Sequence, residues 1–93
     1  MNVYEAVIHW FSSDEGGRKT VPPQGTKCFP MIRTSSLKGD WSIRFTCGQL
    51  DHDRKMHIAF SFISQEAPTQ GLKRGTEFLL YEGSKKVAEG III

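Results

Sequence analysis

The fold of this chain is decided by one stretch, Trp41-Ser42-Ile43-Arg44-Phe45-Thr46-Cys47. Apolar side chains occupy every second position of the stretch, and polar side chains occupy the positions between them. Successive side chains of a β-strand point to opposite faces of the sheet. The alternation therefore predicts a strand with one face toward an apolar core and the other toward water.

The same period of two recurs along most of the chain. Near the N-terminus it places Tyr4, Ala6, Ile8 and Trp10 on one face of a second strand. It also predicts strands at 56–63, 77–81 and 87–93, and a weaker strand at 28–33.

Pro30 and the apolar C-terminal tail restrict where their strands can lie in the sheet. Pro30 has no backbone N–H to donate to a neighbouring strand, so we expect the segment 28–33 to lie at a sheet edge or to contain a bulge. The sequence finishes on Ile91-Ile92-Ile93, an apolar β segment that promotes aggregation when it is exposed. We expect this segment to pair inside the sheet or to meet a partner.

Turns rich in glycine and proline separate the strands, and no stretch has sustained helical spacing with capping residues. Six short strands without a helix are typical of a small antiparallel barrel or sandwich. We favour the barrel, because closure removes the exposed edges of a small sheet. The loop 12–27 is unusually long for such a domain and is the candidate functional loop.

Length and composition exclude several function classes. The 93 residues predict one domain, 1–93, and exclude a multidomain enzyme. A net charge of +2 is too small to indicate nucleic acid by itself. The N-terminus has no signal-peptide pattern, and no apolar run approaches the ~20 residues of a membrane span. We expect a cytoplasmic protein in which Cys28 and Cys47 are reduced, buried, small apolar side chains, with a disulfide as the alternative.

One cluster carries residues suited to catalysis. Asp51-His52-Asp53 is followed by His57, and two carboxylates with two imidazoles can bind a metal or exchange protons. The alternative is a polar turn between strands, with His57 on the solvent face. The sequence contains no phosphate-binding glycine loop and no nucleophile elbow. We therefore expect no enzyme activity, no catalytic residue, no metal and no cofactor.

Basic residues occur in adjacent pairs beside the predicted turns. Loops at one end of a barrel can gather such pairs into a patch that contacts phosphates. The alternative is that the pairs flank turns only because turns are exposed to water. The pairs are Arg18-Lys19, Arg54-Lys55, Lys73-Arg74 and Lys85-Lys86.

Two segments carry a more specific signal than composition. The first is Glu15-Gly16-Gly17-Arg18-Lys19-Thr20, and the second contains Gly75-x-x-Phe78, then Glu82-Gly83, and then Gly90. Together they resemble the third, C-terminal domain of the bacterial translation elongation factor Tu. In that family a first strand runs into an E-G-G-R-H-T-P loop, and the last hairpin reads G-x-x-F-x-x-x-E-G-G.

The sequence departs from this family at identifiable positions. Lys19 stands in place of the loop histidine, and Ser84 stands in place of the second glycine of the hairpin turn. The 93 residues have room for one such domain, so we expect no GTPase domain and no second barrel. The resemblance therefore implies a free-standing relative that binds a partner and hydrolyses no nucleotide.

The resemblance implies a six-stranded antiparallel Greek-key β-barrel and a role in translation. In the family, this domain helps to hold tRNA through contacts to phosphate and ribose. The resemblance thus implies docking on tRNA-like structured RNA through the loop Gly16–Thr20 and the turn Glu82–Lys86. The residues that carry over to this role are Arg18, Lys19, Thr20, Glu82, Gly83, Ser84 and Lys85.

Two alternatives stay open at this point. The motif glycines can serve only to form turns, with Glu15 paired to Arg18 across the loop. The chain can also be a protein-interaction module without nucleic acid, such as a regulator, a mimic of the parent factor or a toxin-neutralising protein of the immunity type. Under either function we expect a monomer or a homodimer, with no nucleotide and no membrane.

Overall fold

The computed structural model describes residues 2–93, and these residues form an all-β fold. Two short 3-10 turns, Ser13–Glu15 and Thr69–Gly71, are the helical elements in this part of the chain. No helix within residues 2–93 is long and apolar enough to cross a membrane. The strands are β1 (Tyr4–Trp10), β2 (Lys27–Cys28), β3 (Met31–Arg33), β4 (Trp41–Thr46), β5 (Lys55–Phe62), β6 (Glu77–Glu82) and β7 (Lys85–Ile92).

Six of these strands close into an antiparallel barrel. The order around the barrel is β1, β5, β4, β3, β6 and β7, and β7 pairs with β1 to complete the ring. The pairing of β4 with β5 turns an otherwise open sheet into a barrel. Because β3, β4 and β5 are successive neighbours and β1 lies beside β5, the arrangement is a Greek key. The predicted fold class, a six-stranded antiparallel Greek-key barrel, is confirmed.

Pro30 divides the weak predicted strand into β2 and β3. Both pieces pair with β4, and the register continues across the interruption: Cys28 faces Phe45, and Met31 faces Ser42. The interruption falls where proline offers no N–H to the ladder. β2 has a free edge, since among the described strands it pairs with β4 only, whereas β3 lies between β4 and β6. Of the predicted strand 28–33, only the part in β2 therefore lies at a sheet edge.

The period of two correctly predicts the residues that fill the barrel. β4 and most of β5 alternate between exposed and buried residues in the predicted phase. Trp10 is 1% exposed, and its ring centroid lies 6.3 Å from that of Phe45 on β4. The Trp10 Nε1 atom has no hydrogen-bond partner among the described residues. Trp41 is half-buried instead, and its Nε1–H donates to the carbonyl of Lys38 at 2.8 Å.

The apolar tail pairs inside the sheet, which is one of the two outcomes expected for it. Ile92 is buried and faces Ala6 of β1. The backbone N–H of Ile93 donates to the carbonyl of Glu5 at 3.0 Å, which continues this ladder. The side chains of Ile91 and Ile93 remain 41% and 50% exposed, on the outer surface.

Gly90 is required by close packing across three strands. It lies between Ile8 of β1 and Phe78 of β6, which it faces in the two ladders. A β-carbon at position 90 would stand 2.8 Å from the Cγ2 atom of Ile8 and closer still to the Phe78 ring. The glycine therefore lets the Phe78 ring occupy the interior of the barrel.

Gly90→Ala should destabilise the protein by about 1–3 kcal/mol, because the added methyl group overpacks the interior. Urea unfolding followed by circular dichroism measures this change. Glu89→Ala, at the neighbouring exposed position, is the control and should cost less than about 1 kcal/mol, because it removes only a surface contact with His9. Equal urea midpoints for Gly90→Ala and the unmodified chain would contradict the packing argument.

Candidate functional site

The barrel topology brings the two motif segments to the same end of the molecule. β1 and β7 are antiparallel neighbours, and Trp10 at the end of β1 faces Ala88 near the start of β7. The long loop leaves from the end of β1, and the β6–β7 turn leads into the start of β7. The N–H of Phe11 donates to the carbonyl of Val87 at 2.9 Å and fixes the start of the loop beside β7.

The first turn of the long loop is stabilised by its own side chains. The N–H and the hydroxyl of Ser12 donate to Oε1 of Glu15 at 2.9 and 3.1 Å. The backbone hydrogen bond from Ser12 lowers the pKa of the Glu15 carboxyl below its usual value. Gly17 then folds back, and its N–H donates to the Ser12 carbonyl at 2.8 Å. Glu15 caps this turn and does not pair with Arg18, so the expected Glu15–Arg18 alternative is wrong.

Arg18 instead joins the loop to the β6–β7 turn. Its Nη1 donates to Oε2 of Glu82 at 2.7 Å, and its Nε donates to the carbonyl of Thr20 at 3.2 Å. The side chains of Arg18 and Glu82 are 34% and 37% exposed, so the pair lies partly below the surface. This contact connects residues 64 positions apart in the sequence. It brings the two predicted binding segments together.

The remaining predicted site residues are exposed and lie beside Arg18 or Glu82, either along the chain or across the hairpin. Lys85 faces Glu82 across the hairpin, and the ammonium of Lys86 lies 5.7 Å from the centroid of the Phe11 ring. We call residues 16–20 and 82–86 together the loop–turn surface. It carries four basic side chains and one carboxylate. Its exposed members are Gly16, Lys19, Thr20, Gly83, Ser84, Lys85 and Lys86.

Gly83 also has a conformational role. Its φ is +63° in the two-residue turn between β6 and β7. Hairpin turns of this length require a positive φ, which glycine adopts without strain. The requirement of the turn is therefore enough to explain the glycine at position 83. The same conformation leaves the Gly83 N–H free of side-chain atoms of its own residue.

The two other basic pairs have different positions. Arg54 lies under the end of β1, where its Nε and Nη2 donate to the carbonyls of Trp10 and Phe11 at 3.0 and 3.1 Å. Lys73 and Arg74 are exposed and precede β6, so they are a strand length away from the Glu82 end. Only the pairs in the loop and in the β6–β7 turn belong to the loop–turn surface.

The candidate cluster of Asp51, His52, Asp53 and His57 does not assemble into one site. Asp51 accepts the backbone N–H groups of Asp53 and Lys55 at 2.8 and 2.9 Å, so its carboxylate stabilises a turn. His52 is 91% exposed. His57 does not join them, because its Nε2 atom lies 3.3 Å from Oε1 of Glu5 on β1. Among residues 2–93 there is no group of three or more metal-ligating side chains.

The two cysteines lie closer together than their spacing in the sequence suggests. Both are buried and free, as expected, and their sulfur atoms are 3.4 Å apart. Burial raises the pKa of the Cys47 thiol to about 12, and the contact with Cys28 adds to this rise. Neither C-x-x-C spacing nor any other local pattern indicates this contact, which depends on the pairing of β2 with β4.

Comparison with known proteins does not place the chain in a family. No family model matches it, and no curated protein matches it either. The resemblance to the C-terminal domain of elongation factor Tu therefore stays a prediction.

A double-mutant cycle with Arg18→Ala and Glu82→Ala should give a coupling free energy of about 0.2–1 kcal/mol, because the pair is only partly shielded from water. Salt should reduce this coupling. Urea unfolding measures it. The control cycle pairs Arg18→Ala with Glu77→Ala, at the opposite end of β6, and should show no coupling. Equal coupling in the two cycles would contradict the contact.

Asp51→Asn should change how stability depends on pH. The backbone N–H groups of Lys55 and Asp53 lower the pKa of the Asp51 carboxyl. Such a group stabilises the fold above its unfolded pKa of about 3.9, and this contribution is lost as the pH falls through the folded pKa. The unmodified chain should therefore lose more stability than Asp51→Asn between about pH 5 and pH 2.

Urea midpoints measured across this pH range provide the comparison. Asp53→Asn is the matched control, since the Asp53 carboxylate accepts neither backbone N–H group. Parallel curves for Asp51→Asn and the unmodified chain would show that the turn does not depend on the ionised carboxylate.

Proposed function

We propose that the chain is a non-enzymatic binding module that docks on the backbone of tRNA-like structured RNA through the loop–turn surface. This role agrees with a free-standing, cytoplasmic relative of the C-terminal domain of elongation factor Tu acting in translation. The observation that carries the proposal is the Arg18–Glu82 contact at 2.7 Å. Because of it, exposed lysines from distant parts of the sequence lie around one ion pair.

The basic residues divide into two roles in this proposal. Two donors of Arg18 are engaged by Glu82 and Thr20, and its charge is offset by the carboxylate. Arg18 therefore positions the loop. Lys19 and Lys85 are exposed ammonium groups and supply the charge that attracts phosphates.

Neutral donors complete the proposed contact. Thr20 and Ser84 present exposed hydroxyl groups, and Gly83 presents backbone without a side chain in the turn. Such groups position a nucleic-acid backbone without reading its sequence. The proposal thus predicts that the chain recognises the shape of the RNA and not its sequence. The attraction to phosphate comes from lysines gathered on one surface, so it does not need a net charge larger than +2.

Electrophoretic mobility shift with an unmodified tRNA transcript tests the proposal at about 50 and 200 mM salt. We expect binding at the lower salt concentration and weaker binding at the higher. Lys19→Gln combined with Lys85→Gln should reduce the affinity for tRNA. The slope of log affinity against log salt concentration should become shallower by about one unit for each lost phosphate contact.

The matched control removes the same charge elsewhere. Lys73→Gln combined with Arg74→Gln should leave affinity and salt dependence close to those of the unmodified chain. Circular dichroism checks that both double variants remain folded. Absence of a shift at low salt, or an equal loss in both variants, would contradict docking through the loop–turn surface.

A second candidate function, protein binding without nucleic acid, is favoured by one observation. Phe29 is 61% exposed and directly follows β2, which pairs with β4 only among the described strands. An exposed aromatic ring beside a free strand edge suits docking of another protein. A partner retained by the lysine double variant and lost by Phe29→Ser would favour this function over RNA binding.

A further inference from the structure

The thiol pair is a feature that RNA docking does not use. Cys28 ends β2, and Cys47 directly follows β4. Their side chains are buried, with 7% and 2% of each residue exposed, and their sulfur atoms are 3.4 Å apart. An oxidant can join two thiols in contact into an intramolecular disulfide, whereas a single buried cysteine has no such partner.

The backbone holds the two residues in a suitable arrangement. Cys28 faces Phe45 in the ladder, so Cys47 is two positions further along the same face and a diagonal neighbour of Cys28. The N–H of Cys47 donates to the carbonyl of Thr26 at 2.8 Å, and its carbonyl accepts the N–H of Gly25 at 2.9 Å. These bonds extend the β2–β4 pairing beyond the start of β2 and hold the backbone of Cys47 in line with it. A disulfide requires a sulfur–sulfur distance of about 2.05 Å, so the two sulfur atoms must close from 3.4 Å to that distance.

We propose that Cys28 and Cys47 form a reversible intramolecular disulfide when the protein meets a small-molecule disulfide such as oxidised glutathione. One protein thiolate attacks the reagent, forms a mixed disulfide and releases one glutathione thiol. The second protein thiolate then attacks the mixed disulfide and releases the other. Two protein thiols are oxidised, and one glutathione disulfide is reduced to two thiols.

The free edge of β2 provides access to the buried thiols. β2 has two residues, pairs with β4 only among the described strands, and is followed closely by the interruption at Pro30. Short edge elements with few pairings open more readily than the rest of a fold. Both thiols are buried in the closed form, and burial raises the pKa of the Cys47 thiol, so the reagent meets the thiols when β2 opens.

The disulfide would change the mechanics of the long loop. Residues 12–26 carry Arg18 and lead directly into β2. A covalent bond between β2 and the end of β4 fixes the C-terminal base of this loop. Oxidation would therefore restrict the motion of the loop that carries Arg18. It would not add a chemical group to the loop–turn surface.

The experiment treats the folded chain with oxidised glutathione, alkylates the remaining thiols and measures the intact mass and the peptide map. We expect a loss of about 2 Da, no alkylation, and one Cys28–Cys47 cross-linked peptide in a monomeric protein. The oxidised form should also have a higher urea midpoint, since the bond restricts the unfolded chain. Dithiothreitol should restore two alkylatable thiols and the original midpoint.

Cys28→Ser and Cys47→Ser are the matched controls. Each keeps one thiol and should yield only a glutathione adduct or no product, with no cross-linked peptide. Two unreacted thiols in the unmodified chain, a stable glutathione adduct without the internal bond, a disulfide-linked dimer, or an internal bond that lowers the urea midpoint would each overturn the proposal. None of these outcomes depends on RNA binding.

Discussion

Closure of the sheet between β4 and β5 is the constraint on which the rest of the structure depends. A sheet of this size left open would expose two backbone edges and half of its apolar face. Closure turns the inward positions of six strands, such as Ile43 and Phe60, toward one core. It also fixes which strand ends meet. The end of β1 lies beside the start of β7, and for this reason the long loop and the last hairpin turn share one surface.

The loop–turn surface combines a partly buried ion pair with an exposed rim. Arg18 and Glu82 are partly buried and hold each other, so the loop has a defined position before any ligand arrives. Lys19 and Lys85 are exposed and keep the freedom of long side chains. In the proposed docking, a phosphate backbone would meet these exposed charges on a base positioned by the Arg18–Glu82 contact. This arrangement avoids the entropy cost of ordering the whole loop on binding.

Periodicity predicted the fold well because it reports the face on which each side chain lies. The inward positions of β4 and β5, the absence of a long helix and the disturbance at Pro30 all follow from local chemistry. The contacts of Arg18 with Glu82 and of Cys28 with Cys47 do not, because each joins residues brought together by strand pairing across the barrel. The alternative pairing of Arg18 with Glu15 was wrong for a related reason: Ser12 donates to the Glu15 carboxylate, and Arg18 reaches Glu82 through strand pairing.

The burial of Trp10 has a practical consequence for following this molecule in solution. Its indole is 1% exposed and packs on Phe45 of the strand that closes the barrel, whereas Trp41 is half-buried at the start of that strand. An indole shielded from water emits at shorter wavelength than one in contact with it. The chain therefore contains an intrinsic optical probe whose red shift reports the exposure of the barrel interior to water.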